Sequence, residues 1–228
     1  MRNITFTTDG FYHVYNRGVE GRTIFSNDSD RYRFLQILYE LNDAIPASHL
    51  ERRSFRECIR RAHEGEARDP LVSIIAYCLM PNHFHLLVQP RKETGLQDFM
   101  HRVGTSYVKY FNQRVERRGR LFMSTFQAKA IETNHYLQHT SRYIHLNALS
   151  HLDASWKERG IRKREGAKIF LDSYQWSSYR MYKDRNINDI LVDALLARDV
   201  IGDFQKPAYE SFTLSWVPGD TLEDIEMS

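Results

Sequence analysis

The chain has 228 residues, 42% of them hydrophobic and 13% aromatic, which is enough apolar material for one sizeable core without covalent staples. Two cysteines, Cys58 and Cys78, make no disulfide framework and fit a reducing cytoplasm. The opening "MRNITFTTDGFYHVYN" lacks a continuous apolar run and no segment approaches bilayer length, so secreted and membrane classes are not expected.

Charge is unevenly spread. The formal total is +3, but Asp220, Glu223, Asp224 and Glu226 crowd the last ten residues, and without those four acids the remainder carries +7. Bases cluster at Arg52-Arg53, Arg60-Arg61, Arg114 to Arg120 and Arg162 to Arg164, a pattern that suits a polyanion such as nucleic acid.

In chain order, "GFYHVYN" predicts a strand that ends near Gly18 and Gly21. "SNDSDRYRFLQILYELNDA" predicts a helix capped by Asp28, Ser29 or Asp30, with Phe34, Ile37, Leu38 and Leu41 at helical spacing. Residues 45–70 read as a basic insertion that includes a short helix in "SFRECIRRAHEGEA". "LVSIIAYCLM" predicts a buried strand, Pro81-Asn82 a turn, and "HFHLLVQP" a strand pairing back as a hairpin. A long helix follows, with Leu96, Phe99, Met100, Val103, Tyr107, Tyr110 and Phe111 inward and a stop at Gly119. "LFMSTFQAKAI" predicts a fourth strand. "TNHYLQHTSRYIHLNALSHL" predicts a further helix, capped by Thr133 or Asn134 and buried along Leu137, Ile144 and Ala148.

This order predicts an α+β fold: a ferredoxin-like split β-α-β arrangement with an antiparallel sheet, helices on one face and a C-terminal helical extension. Residues 1–150 form the expected main domain, and 151–228 the extension with its acidic tail.

Two histidines stand out. His83 and His85 open a strand directly after a tight turn, and alternation projects both imidazoles to one side while Phe84, Leu86 and Val88 face the other. A pair of neutral imidazoles is a partial site for a divalent ion, although a strand with two half-exposed histidines is the plainer reading. Metallohydrolase patterns that need a third ligand at position 87 are disfavoured by Leu87. On the last of these helices Tyr143 and Asn147 stand four apart and share a face. Asn147 offers an amide oxygen to an ion, and Tyr143 a phenol that attacks a phosphodiester polarised by it. The plainer readings are a packing tyrosine and a helix cap.

The segments "YHVYNRGVEGRTIF", "AYCLMPNHFHLLVQP", "RRGRLF", "SRYIHLNAL" and "YQWSSYRMY" lie in the order found in the REP-associated tyrosine transposases. The chain resembles this branch of the single-tyrosine transposases of the HUH class over residues 9–183. The resemblance implies a small ferredoxin-like nuclease that cuts single-stranded DNA beside folded hairpins with a divalent ion, Mg2+ or Mn2+. It implies His83 and His85 as the metal-binding pair, Tyr143 as nucleophile and Asn147 as third metal ligand. Where the family often continues with Pro and a basic residue after "YIHLN", this chain reads "ALSHL", and "MSTFQAKAI" follows Leu121-Phe122 where an arginine is commoner.

The expected partner is single-stranded or hairpin DNA in the bacterial cytosol. Arg114, Arg117, Arg118, Arg120 and Arg17 are expected to follow phosphates, and Tyr15, Trp176 and Tyr179 are candidates to stack bases, with core packing the alternative and the plainer reading for Trp176. Relatives include both dimers that exchange their tyrosine and apparent monomers, so a homodimer stays open. Two rivals remain: a nuclease that attacks with ion-activated water, and a hairpin-binding protein whose cleavage centre has lapsed.

Overall fold

The computed structural model describes residues 4–45, 53–184, 187, 189–202 and 208–218. Four antiparallel strands form the sheet: β1 (Phe11–Arg17), β2 (Val72–Met80), β3 (His83–Pro90) and β4 (Gln127–Ile131), in spatial order β2-β3-β1-β4. β2 and β3 are a hairpin whose two-residue turn is Pro81-Asn82, so Met80 lies opposite His83. Backbone bonds clamp that turn, because Gly18 N donates to Asn82 O at 2.8 Å and Ile24 N to Pro81 O at 2.8 Å. Gly18 must be glycine here, since a Cβ would run into the Arg22 carbonyl.

The two crossover helices, α1 (Asp28–Leu41) and α3 (Gly95–Arg114), pack against each other on one face of the sheet, with Phe34 meeting Phe84 at 4.9 Å between ring centres. This is the α+β, split β-α-β arrangement expected. The helix after β4, α4 (Asn134–Leu146), lies on the opposite face, the one to which the histidines project. α2 (Phe55–His63), in the basic insertion, packs on α1, and both Arg53 and Arg61 reach the buried Glu40 carboxylate.

Local chemistry shifts several expected boundaries. α1 is capped by Asn27 rather than by Asp28, Ser29 or Asp30, its side chain accepting from Asp30 N at 3.0 Å. Asp30 instead buries its carboxylate beneath Arg114 and Tyr110. α3 stops at Arg114, before Gly119, because Glu116 takes the left-handed conformation (φ 50°) that closes a Schellman cap, with Arg117 N bonded to Asn112 O at 2.9 Å. β4 is shorter than "LFMSTFQAKAI" suggested. Asn16 on β1 donates its amide to the carbonyls of Ser124 and Thr125, which interrupts the ladder before Gln127, while Phe122 pairs with Gly18 in an isolated bridge. Thr133 caps α4 as expected.

The C-terminal extension contributes α5 (Trp156–Arg159), α6 (Arg164–Ser173), α7 (Tyr179–Lys183), α8 (Ala194–Ile201) and α9 (Ala208–Leu214). It lies along the outer side of β2, an edge strand of the sheet. Leu79 N donates to Trp176 O at 2.9 Å, Asp193 N to Ile74 O at 2.9 Å, and the Tyr182 hydroxyl to Ile75 O at 2.7 Å. Covering the open edge satisfies its unpaired backbone groups and explains why every residue of β2 is buried. It also buries the side of α4 that a one-sided stripe leaves wet: His145 bonds the Tyr209 hydroxyl at 2.7 Å and Ser178 Oγ at 2.8 Å. Cys58 and Cys78 are buried free thiols; burial pushes Cys58 up to about 12 and Cys78 further up still. No described helix is long and apolar enough to cross a membrane. The acidic tail, from residue 219 on, lies outside the described residues.

Candidate functional site

Period-two alternation puts His83 and His85 on the α4 face of the sheet, and strand pairing brings β1 alongside, with Tyr15 opposite His85 and Arg17 opposite His83. His13 therefore joins the same face two residues further along β1. Its Nε2 lies 2.8 Å from His85 Nδ1, with the two rings nearly parallel. Tyr15 stacks obliquely at the margin, 5.1 Å from His13 and 6.0 Å from His85 between centres.

α4 hangs Tyr143 over this cluster. Its ring meets His85 at 5.9 Å and His13 at 6.1 Å, nearly perpendicular to both. From α5, Lys157 Nζ donates to the Tyr143 phenol oxygen at 2.7 Å. Trp156 and Trp216 close over the ring at 6.1 and 6.2 Å, and Tyr143 has no exposed surface. As arranged, residues of the extension seal the phenol.

Burial governs the electrostatics. It is the largest cause of depressed basicity in all three imidazoles: His13 and His83 each fall to about 3, and His85 well below the usual value. Lys157 adds to the depression at every one of them. All three are neutral at pH 7, the form in which imidazole ligates metal.

Hydrogen bonds decide the available lone pairs. Asn82 donates its amide nitrogen to Gly21 O, so its oxygen faces His83 Nδ1 at 2.6 Å. An amide oxygen only accepts, so His83 carries its proton on Nδ1 and leaves the Nε2 lone pair open. His85 Nε2 is buried without a partner among the described residues. Two imidazole nitrogens thus fit a divalent ion, which needs further ligands, since among the described residues no three His, Cys, Asp or Glu side chains are placed to hold one. Asn147, expected as the third ligand, is buried at the end of α4 and donates its amide nitrogen to Tyr143 O at 2.7 Å. It stands at the C-cap of α4, where the chain passes into a 3-10 turn.

The expected DNA-binding arginines are largely engaged within the fold. Arg114 pairs with Asp30 at 2.8 Å, Arg117 bonds Asn112 Oδ1 and Arg120 O, and Arg120 bonds Met123 O. Arg118 and Arg17 are exposed. Tyr179 is fully buried, and Trp176 is buried between Tyr32 and the Arg31 guanidinium, so neither presents a face for stacking.

His13, Lys157, Trp156 and Trp216 were not singled out from sequence. Alternation along "FYHVYN" puts His13 and Tyr15 on one side, but only the pairing of β1 with β3 brings that side to His85. Nothing local marks Lys157 or the tryptophans.

Residues 48–147 match the family model Y1_Tnp, "Transposase IS200 like". None of the curated proteins compared with the chain matches it. Among solved structures, the chain is similar to one described as "Structure of the REP associates tyrosine transposase bound to a REP hairpin", at 12% identity and a TM-score of 0.47, over 84% of this chain and 88% of that one.

Proposed function

With residues 48–147 matching the IS200-like transposase family, we propose that the chain cuts and rejoins single-stranded DNA beside folded hairpins through a covalent tyrosine intermediate. Tyr143 Oη attacks a backbone phosphorus as the bond to the 3′-oxygen breaks, leaving a 5′-phosphotyrosine and a free 3′-hydroxyl; the phenol proton ends on that oxygen. The reverse step, with a second 3′-hydroxyl, joins strands without an external energy source. His83, His85 and Asn147 would hold a divalent ion, Mg2+ or Mn2+, which when bound polarises the phosphate as a Lewis acid. Lys157 holds the phenol oxygen and brings positive charge to the place where an anionic phosphate must sit. The neutral imidazoles keep that place free of competing protons.

The observation that carries this reading is the Tyr143 ring packed edge-on against His85 at 5.9 Å. Its test is incubation with labelled hairpin single-stranded DNA and Mn2+, followed by a denaturing gel. Wild type is expected to retain label on the protein, and Tyr143→Phe to lose the adduct while still binding DNA. An adduct that survives the substitution would refute Tyr143 as nucleophile, and cutting without any adduct would favour ion-activated water. A second reading, a hairpin-binding protein with a silent centre, draws on the sealed phenol; tight binding without cleavage in either ion supports it.

A further inference from the structure

The close contact between His13 and His85 has two possible proton arrangements. If His85 Nδ1–H donates to His13 Nε2, His85 keeps a lone pair on Nε2 and His13 a proton on Nδ1. If His13 Nε2–H donates instead, the His85 proton moves to Nε2. Both His13 Nδ1 and His85 Nε2 are buried without partners among the described residues, so there each arrangement strands one donor and one acceptor. Neither wins on hydrogen-bond satisfaction. Only the first presents a lone pair where a cation can use it.

Building on the metal-dependent reading above, we propose that His13 is a positioning residue for the cation. By accepting from His85 Nδ1–H it fixes the tautomer and the ring angle of His85, as Asn82 does for His83. Metal and tautomer are then linked. A cation at His85 Nε2 selects the arrangement in which His13 accepts, and an acceptor at position 13 favours the cation in return. The α4 face of β1 offers this position, through a contact spanning 72 residues of sequence.

The test is Mn2+ affinity of the full chain, measured by electron paramagnetic resonance, with two-bond nitrogen-15 spectra of the metal-free protein to read the histidine tautomers. His13→Leu, which keeps bulk but cannot accept, is expected to weaken Mn2+ binding about 10- to 100-fold. His13→Gln, which can accept through its amide oxygen, is expected to restore most of the affinity. In wild type His85 is expected to show a substantial Nδ1–H population that His13→Leu abolishes. Unchanged affinity in His13→Leu, alongside lost binding in His83→Ala with His85→Ala, overturns the role of His13 and leaves the metal reading standing. Wild type that binds no Mn2+ overturns both. An unchanged tautomer with weakened affinity in a variant of normal thermal stability also overturns it, because His13 then acts by packing.

Discussion

Lys157 Nζ lies 2.7 Å from the phenol oxygen of Tyr143 and 4.7 Å from the centre of its ring. The C-terminal extension thus delivers a cation to the one atom that the proposed chemistry needs as a nucleophile. A phenol is mostly protonated near pH 7, with an ordinary pKa of about 10, so positive charge at its oxygen favours attack. Lys157→Met is expected to slow adduct formation about 100-fold, read as the rate of label transfer to protein, with hairpin affinity changed less than about threefold. Equal losses of rate and binding would mean that Lys157 serves the DNA rather than the phenol.

Trp216 and Trp156 also pack against this ring. Trp216→Ala is expected to cost about 3–5 kcal/mol in chemical denaturation, as for other large aromatic truncations in a core. It should also open Tyr143 to N-acetylimidazole, with the modified residue located by mass spectrometry. A variant that loses the stability but leaves Tyr143 unmodified would mean that other residues seal the phenol.

In the metal reading, His83 and His85 act together on one ion. Chelation with EDTA and the paired change His83→Ala with His85→Ala are each expected to abolish Mn2+-dependent cutting while single-stranded DNA binding persists. Undiminished cutting in the paired variant would rule out the metal assignment.

His145 makes a stability prediction independent of the site. It is buried between Tyr209 and Ser178, and burial lowers its pKa to about 3. The native state therefore stays unprotonated where the unfolded chain, titrating near the ordinary value of about 6.5, takes up a proton. Its stability contribution is full above that pH and is lost as pH falls from about 6.5 towards 3, at on the order of 1.4 kcal/mol per pH unit. His13 behaves in the same sense. Urea unfolding of wild type and His145→Gln across this window should show a shallower slope in the variant, by about one proton; identical slopes would contradict a buried neutral His145.

Arg114 is the clearest case of an expected DNA contact with a structural partner. It pairs with Asp30, a fully buried carboxylate at the first turn of α1. Arg114→Ala leaves that charge short of its cation and is expected to cost about 3 kcal/mol, less in a background of Asp30→Asn, with little effect on DNA affinity in the folded variant. A large affinity loss without destabilisation would return Arg114 to the DNA interface.

The fold was legible where short-range pattern decides it. Apolar spacing marked α1 and α3, Pro81-Asn82 marked the hairpin turn, and the strand-helix order implied the sheet. The helix boundaries that moved did so through residues acting locally, Asn27 as a cap one position ahead of the expected candidates and Glu116 in a left-handed turn where glycine is the usual signal. β4 shortened because a side chain from another strand, Asn16, took its carbonyls.

The sequence alone determined that His83 and His85 share one face and that Tyr143 and Asn147 share another, because strand alternation and the helical turn are local geometry. Tertiary structure alone decided what surrounds them. His13 arrives through strand register, Lys157 and Trp216 through an extension that covers an open sheet edge, and the Asn147 amide nitrogen is drawn into a cap. Those outcomes depend on which distant surfaces must be buried together, and burial is a property of the whole chain that no window of residues contains.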